Sequence, residues 1–394
     1  MYLTREQEQI LNGEKGEILQ RMFRLLTLLG DIYNADKMIP IGSVQVAGVS
    51  YKSIGDPGLE FLEDLAQKGA RVQVLTFLNP AGMDLEAWDT LNFPRDFSQK
   101  QLRIIKAFKQ MGIVPTATCT PYLIGNLPRF GEHIAWSESS AVSFANSVIG
   151  ARTNREGGPS ALAAALCGLT PNYGLHLSQN RIPEVVIEVK AHISTFADFG
   201  ALGHLIGKYV RNKIPYITGI TDATTDHLKS LGAAMAASGA VALYHVKNLT
   251  PEADLVETKG LETITVTKKD IKETYAKLST GKQPDIVILG CPHASLREIQ
   301  TLANYVKEKQ LKKPVWICTS RMMKEAADRM GYTQIIETAG GHIVADTCMV
   351  VSPIEQMGIK TTGVNSGKAA NYLPGFCKQE VVFSNVRDLI KEVS

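Results

Sequence analysis

The chain has 394 residues, 44% of them hydrophobic and 21% charged, and its 42 Lys and Arg nearly balance its 39 Asp and Glu, for a net charge of +3. This composition excludes intrinsic disorder and predicts a buried core distributed over two or three α/β-sized units. So small a net charge argues against nucleic acid or acidic membranes as binding partners.

The sequence has none of the features of export or membrane insertion. Residues 1–34 are charged and amphipathic, unlike a signal peptide. The uncharged stretch 230–246 is mostly Gly, Ala and Ser and is too short to span a bilayer. We therefore expect a soluble cytoplasmic protein whose six cysteines are reduced, each being a core thiol, a nucleophile or a metal ligand.

The predicted elements begin with helices and continue as strands that alternate with helices. Thr4 and Gln7 form a capping-box pair at the start of an N-terminal helical region. Asp56 and Ser98 are expected to begin two later helices. Short apolar runs predict strands near 44–46, 71–78 and 114–119. Strands separated by helices of this length predict βαβ units and a mostly parallel sheet, so the fold class is α/β.

The second half of the chain repeats this alternation after an interruption. Residues 184–189 predict a strand, and Ser295 with Glu298 predicts a capped helix. The stretch 247–283 is rich in Lys, Glu and Thr and lacks a strong apolar pattern. We therefore expect a boundary there, between an α/β region of residues 1–246 and a second one of residues 284–394.

Three cysteines lie where predicted strands end, the strands being the extended run from Val114 and the runs 285–289 and 342–345. Cys119, Cys291 and Cys348 occupy such junctions, where ligands of open α/β sheets bind. Three thiolates brought together there would suit an iron–sulfur cluster or a zinc ion. No pair has CxxC spacing, so each could equally be a small buried hydrophobe. Cys318 also ends a predicted strand, whereas Cys167 lies in an Ala-Leu helix and Cys377 near the end of the sequence.

Polar residues occupy further junctions. They are Gly48-Val49-Ser50, Asn79-Pro80 and Ser139-Ser140, the last pair opening a helix. Arg152 and Glu156 belong to a loop dense in charge and glycine, and His293 lies beside Cys291. Lys368 ends an NSGK sequence that lacks the other glycine and the hydroxyl residue of a phosphate loop, which leaves it as a single candidate cation for an anion.

These motifs together resemble the aconitase X family, a hydro-lyase branch of the aconitase superfamily. The similarity runs from about residue 1 to about residue 390, and its motifs are GVSYK at 48–52, CTPY at 119–122, SFANSVIGARTNREGG at 143–158, GCPH at 290–293, DTC at 346–348 and NSGK at 365–368. The resemblance implies an aconitase-like α/β catalytic body. It also implies a swivelling domain, which this sequence lacks and which we expect on a separate small subunit.

The resemblance further implies a chemistry. Archaeal members dehydrate (R)-5-phosphomevalonate to trans-anhydromevalonate 5-phosphate in a modified mevalonate pathway. Their cluster, most simply [4Fe–4S], would be held here by Cys119, Cys291 and Cys348, and the base would be a serine of the small subunit. The same resemblance implies that the substrate is bound by Gly48, Val49, Ser50, Asn79, Pro80, Ser139, Ser140 and Lys368. Arg152, Glu156 and His293 are candidates for orienting substrate or cluster or for proton transfer.

Three alternatives remain at this point. Fused bacterial members dehydrate cis-3-hydroxy-L-proline, which would need a site for a ring ammonium rather than a phosphate. A non-catalytic iron-sensing protein would need a basic nucleic-acid surface, for which the charge balance gives no support. A zinc or single iron ion could replace the cluster at the three cysteines.

Overall fold

The computed structural model describes all 394 residues. The chain begins with helices α1 (Arg5–Leu11) and α2 (Glu17–Ile32), followed by the short strand β1 (Met38–Pro40). Thr4 and Gln7 form the expected reciprocal capping box, which satisfies backbone N–H groups that the first turn of α1 leaves free. None of the helices is long and apolar enough to cross a membrane.

The N-terminal unit contains a three-stranded parallel sheet in the order β3-β2-β4. Its elements are β2 (Ser43–Val46), α3 (Tyr51–Gln67), β3 (Leu75–Leu78), α4 (Arg95–Gln110), β4 (Ala135–Trp136), α5 (Ser139–Phe144), a π-helical turn at Ala145–Ile149, α6 (Gly158–Cys167) and β5 (Leu169–Pro171). Strand β5 pairs antiparallel with β1. The carboxyl ends of β2, β3 and β4 therefore lie along one edge, from which the loops bearing many predicted site residues emerge.

Helix α3 consists of two helical segments that meet at a kink at Gly55, where φ is +58° and the backbone is not helical. The first segment begins at Tyr51 after the Ser50 cap and was not predicted, whereas the second begins after Gly55, next to the start predicted at Asp56. Helix α4 begins at Arg95, so Ser98 lies inside the helix, where its hydroxyl donates to the Pro94 carbonyl rather than capping.

The middle unit is a four-stranded parallel sheet in the order β8-β7-β6-β9. Its elements are β6 (Val185–Val189), α7 (Phe196–Val210), β7 (Pro215–Thr218), α8 (Thr225–Gly239), β8 (His245–Val246), β9 (Thr263–Val266) and α9 (Lys268–Leu278). Both β9 and α9 fall within 247–283, so most of this stretch belongs to the sheet of the middle unit, which ends with α9 at Leu278. Its polar composition follows from position, since β9 is an edge strand with exposed side chains.

The C-terminal unit is a five-stranded parallel sheet in the order β12-β11-β10-β13-β14. Its elements are β10 (Ile286–Leu289), α10 (Leu296–Val306), β11 (Val315–Thr319), α11 (Arg321–Arg329), α12 (Tyr332–Thr338), β12 (Gly341–Ala345), β13 (Thr361–Val364), α13 (Gly367–Cys377), β14 (Glu380–Phe383) and α14 (Val386–Glu392). The sheet extends from β10 in two directions, with β11 and β12 on one side and β13 and β14 on the other. The switch point of the topology therefore lies between β10 and β13.

One continuous hydrophobic core joins the middle and C-terminal units. It combines buried residues of α7 and α8, such as Phe199 and Leu231, with Ile288 of β10 and Leu373 of α13. The N-terminal unit has its own core around α2, α3, α4 and α6. The structure confirms the predicted α/β class with mostly parallel sheets.

Candidate active site

Three loops, each at the carboxyl end of a strand or extended segment, bring Cys119, Cys291 and Cys348 together. Cys119 and Cys291 are buried and Cys348 is half-buried. Burial is the main cause of the raised pKa of Cys119 and Cys291, and negative charge on Cys348 adds to both shifts, so the three thiols lie within electrostatic reach of one another. Their role as metal ligands stays a prediction.

The backbone before Cys291 accepts only glycine. Gly290 has a φ of +86°, and a Cβ atom there would lie 2.0 Å from the carbonyl oxygen of Cys318. Any side chain would push β10 away from β11 at the point where the chain turns toward Cys291. This close approach explains why the GCPH sequence begins with Gly.

Burial raises the pKa of each of the three thiols, that of Cys291 to about 12, although the Lys368 ammonium partly opposes the shift. At neutral pH the thiols are therefore protonated in the metal-free chain. A bound metal deprotonates coordinating thiols outright, and Lys368 reduces the cost of the resulting negative charge.

A fourth thiol lies in the same region. Cys318 is completely buried within β11, and charges on the other three thiols raise its pKa further. It differs from them because it lies inside a strand, where it is the neighbour of Val344 of β12. The loop positions of Cys119, Cys291 and Cys348 leave those three sulfurs better placed for a ligand.

A buried ion pair lies beside the cysteines. Lys368, in the first turn of α13, bonds through its ammonium group to Glu138 and to the Ser140 hydroxyl at 3.2 Å. Asn79 donates its Nδ2–H to the other Glu138 oxygen at 2.8 Å. Burial disfavours the Glu138 carboxylate, but Lys368 and these hydrogen bonds outweigh it and lower its pKa to about 2.

Glu138 is a site residue that the sequence reasoning missed. Its position gave a signal, because it lies between the end of β4 and the Ser139-Ser140 pair. It is the N-cap of α5 and accepts hydrogen bonds from the Ser140 N–H at 3.4 Å and the Ser139 hydroxyl at 3.1 Å. The Glu138 carboxylate thus already caps the helix start at which Ser139 and Ser140 lie, and the substrate-binding role of these two serines stays a prediction.

The other predicted substrate-binding residues lie at the adjoining strand ends. Ser50 donates its hydroxyl hydrogen to the carbonyl oxygen of Val351 at 2.7 Å, which ties the loop after β2 to the segment that follows Cys348. Gly48 has a φ of +78°, and the Val49 carbonyl accepts from Gln101 Nε2 at 2.8 Å. Gln101, which also receives the Tyr51 N–H, was not anticipated, since its role depends on α4 reaching the neighbouring loop.

The Asn79-Pro80 loop is attached directly to a cysteine loop. Ala81 forms a parallel bridge with Thr347, in which the Cys348 N–H donates to the Ala81 carbonyl at 3.0 Å. The N-terminal and C-terminal units therefore share backbone hydrogen bonds at the candidate site.

Arg152 and Glu156 do not join this group. Arg152 donates to the His176 carbonyl at 2.9 Å and to the Ser178 hydroxyl at 2.8 Å. Glu156 is buried and accepts from the Ser160 hydroxyl at 2.6 Å, with a pKa raised by burial. Both residues hold loops of the N-terminal unit together, so the structure does not support a catalytic role for either.

His293 lies at the centre of the cysteine loops, yet it is not free to transfer protons. Burial lowers its pKa to about 4, so the ring is neutral at physiological pH. Both ring nitrogens are within hydrogen-bond distance of groups in the chain, Thr118 Oγ1 at 3.0 Å and the Thr347 carbonyl at 2.8 Å.

A cavity lies beside the cysteine site without containing it. Its volume is about 650 Å³, and it lies near the N-terminal ends of α7, α8, α10 and α14. Its lining includes neither the three cysteines nor Lys368 and Glu138. The candidate site is thus defined by its reactive groups rather than by this cavity.

Comparison with known proteins matches the whole length of the chain. Models of the aconitase X first, second and third domains match residues 1–179, 183–276 and 284–394. The phosphomevalonate dehydratase large subunit of Methanocaldococcus jannaschii is 57% identical over 401 residues, which cover 99% of this chain and 100% of that protein.

A solved structure and a more distant enzyme add to this comparison. The holo form of aconitase X from Thermococcus kodakaraensis matches with a TM-score of 0.95 at 50% identity, covering 100% of both chains. Cis-3-hydroxy-L-proline dehydratase of Pseudomonas aeruginosa is 33% identical, over 98% of this chain and 68% of that protein.

Proposed function

This chain belongs to the aconitase X family, and we propose that it is the large subunit of a phosphomevalonate dehydratase. The enzyme would remove water from (R)-5-phosphomevalonate and form trans-anhydromevalonate 5-phosphate, in a modified mevalonate pathway of isoprenoid biosynthesis. Full-length identity of 57% with an enzyme of that name supports this substrate over cis-3-hydroxy-L-proline, whose dehydratase is 33% identical and longer than this chain.

The observation that carries the reaction class is the convergence of three cysteine loops beside a buried ion pair. The charge of Lys368 acts on all three thiols, and Lys368 itself is paired with Glu138. Soft sulfur ligands next to a fixed cation and a fixed carboxylate suit a metal centre that acts on an anionic hydroxy acid.

The donor set fits an iron–sulfur cluster, and we propose [4Fe–4S]. The thiolate ligands of a cluster bind different irons, so three cysteines on three separate loops can hold one. When bound through only three cysteines, the cluster would supply a Lewis-acidic iron that favours departure of the substrate hydroxyl.

The polar residues of the chain can orient the substrate. An ammonium group has three hydrogens, and Lys368 uses its contacts with Glu138 and Ser140, which leaves one for a substrate carboxylate or phosphate. Asn79 directs its Nδ2–H at Glu138, so its Oδ1, buried and without a partner in the chain, can accept from a substrate hydroxyl.

None of these groups is suited to removing the proton α to the carboxylate. Glu138, with a pKa of about 2, is too weak a base. Lys368 is protonated because Glu138 raises its pKa, and His293 has both ring nitrogens committed. We therefore propose that the base is a serine of a separate small subunit that carries the swivelling domain.

The test is to purify the chain anaerobically together with its small subunit, measure iron and acid-labile sulfide, and then assay both candidate substrates. We expect about four irons and four sulfides per large chain, as a [4Fe–4S] cluster requires. We also expect loss of water from phosphomevalonate, detected as the anhydro product by mass spectrometry, and no activity from the large chain alone. Activity on cis-3-hydroxy-L-proline alone would establish the other substrate, and a complex without bound metal would overturn the mechanism.

A further inference from the structure

His293 contacts all three cysteine loops at once. Its backbone N–H donates to the sulfur of Cys119 at 3.2 Å, and its own loop carries Cys291 two residues earlier. Its Nε2 lies 2.8 Å from the carbonyl oxygen of Thr347, the residue before Cys348. The residue is 1% exposed, so water does not compete for these bonds.

The partners determine the direction of each bond. The Thr347 carbonyl can only accept, so His293 Nε2 carries the hydrogen and Nδ1 must accept. Thr118 Oγ1, 3.0 Å from Nδ1, is therefore the donor there. The same Thr118 oxygen accepts the Thr120 N–H at 3.2 Å, which closes the turn around Cys119. The neutral imidazole of His293 thus bonds both the loop of Cys119 and the loop of Cys348, while its own loop carries Cys291.

The backbone of His293 is held in turn by the middle unit. Lys229 of α8 is 2% exposed and donates its ammonium hydrogen to the His293 carbonyl at 3.1 Å. Two carboxylates, Asp226 and Glu298, neutralise this buried ammonium group. His293 is therefore held at its ring by Thr118 and Thr347 and at its backbone carbonyl by Lys229.

We propose that His293 is a positioning residue that holds Cys119, Cys291 and Cys348 in a preformed arrangement for the metal centre. The inference rests on the proposed function, since it assumes that these three thiols are the ligands. Fixed ligand loops lower the conformational entropy lost when a metal group binds, and hydrogen bonds around ligands commonly change metal affinity about 10–100-fold.

The test measures how fast each cysteine reacts with iodoacetamide in the metal-free full chain, resolved by mass spectrometry. His293→Asn retains an amide at the level of Nδ1, so it can keep the Thr118 contact and lose that to Thr347. His293→Gln retains an amide at the level of Nε2, so it can keep the Thr347 contact and lose that to Thr118. We expect His293→Asn to raise the labelling rate of Cys348 about 10-fold or more and to change that of Cys119 little. We expect His293→Gln to raise the labelling rate of Cys119 by a similar factor and to change that of Cys348 little. Thr118→Val, which leaves the imidazole in place, should also raise labelling of Cys119 alone.

Two controls separate positioning from general destabilisation. His245 is equally buried and bonds a carbonyl, that of Arg181, through Nε2 at 2.9 Å, so His245→Asn should leave the three thiols unchanged. Cys167 lies in α6, outside the three loops, and is half-buried, so a rise in its labelling reports loosening of the chain beyond the site. Equal acceleration of all thiols, Cys167 included, or no change in the Thr118→Val variant, would overturn the proposal.

Iron retention by the purified complex provides the second readout. We expect the His293 variants to lose iron about 10–100-fold faster than the unsubstituted complex under a chelator. If the unsubstituted complex holds no iron, the proposed function fails, while the labelling pattern of the metal-free chain still decides the positioning role.

Discussion

The Lys368–Glu138 pair allows a quantitative prediction about the stability of the metal-free chain. The Lys368 and Glu138 side chains are 7% and 14% exposed, so each charge depends on the other. Lys368→Met leaves a carboxylate buried without its cation, and Glu138→Gln leaves an ammonium group without its anion. Breaking a buried pair in this way costs about 3–5 kcal/mol.

The pKa of Glu138 gives an independent magnitude. Its fall from the ordinary 4.5 to about 2 corresponds to about 3 kcal/mol of stability at pH 7. Because the folded chain holds the proton less tightly than the unfolded one, this contribution is complete above pH 4.5 and is lost as the pH falls through about 2. Lys368→Met should therefore weaken the protein at pH 7 much more than at pH 3.

A double-mutant cycle by urea unfolding measures the interaction, with the fluorescence of the three tryptophans as the signal of unfolding. The double variant should cost less than the sum of the two single variants, by about 3 kcal/mol. The exposed pair of Lys68 and Asp64, with side chains 48% and 44% exposed, is the control, and Lys68→Met should cost at most about 0.5 kcal/mol. Additive costs, or a Lys368→Met effect as small as that of Lys68→Met, would refute the reasoning.

Further predictions concern the thiols and the buried carboxyl of Glu156. Cys119→Ser, Cys291→Ser and Cys348→Ser should each abolish iron retention in the anaerobic complex, whereas Cys167→Ser should keep it; equal loss from Cys318→Ser would show that the wrong three were chosen. Burial raises the pKa of Glu156, so the folded chain binds its proton more tightly than the unfolded chain and stability falls as the pH rises above 4.5. Glu156→Gln should therefore raise the melting temperature at pH 7, with the gain shrinking toward pH 4.5, and should leave the rate of dehydration within about twofold. A Glu156→Gln variant that folds normally but is inactive would place that carboxyl in the site after all.

Assembly of the site depends on contacts between units rather than on any single loop. The bridge between Ala81 and Thr347 joins the N-terminal unit to the loop of Cys348. Nearby, Arg321 of α11 bonds the carboxylates of Asp84 and Asp346, one from each unit. Because both sides of the site share these bonds, its geometry forms only when the units are docked.

Local features of the fold were predictable from the sequence because they depend on neighbouring residues. The capping boxes of Thr4 with Gln7 and Ser295 with Glu298 form as expected, since both partners lie within one helical turn. The strand–helix alternation likewise predicted the parallel sheets. The start of α4 was misplaced because Ser98 has the residue type of a cap but lies one turn inside the helix.

By itself the sequence determined the α/β class, the positions of the junction cysteines and the motifs of the family, because all of these are written in local pattern and spacing. Only the tertiary structure decided which junction residues meet. It paired Lys368 with Glu138, 230 positions away, and it turned Arg152 and Glu156 toward other loops. In the tertiary structure, the two ring nitrogens of His293 also form hydrogen bonds with two loops that are distant in sequence. The physical reason is that a buried charge or imidazole needs an ion-pair or hydrogen-bond partner, which fixes its position and its protonation state. Here those partners come from parts of the chain that are distant in sequence.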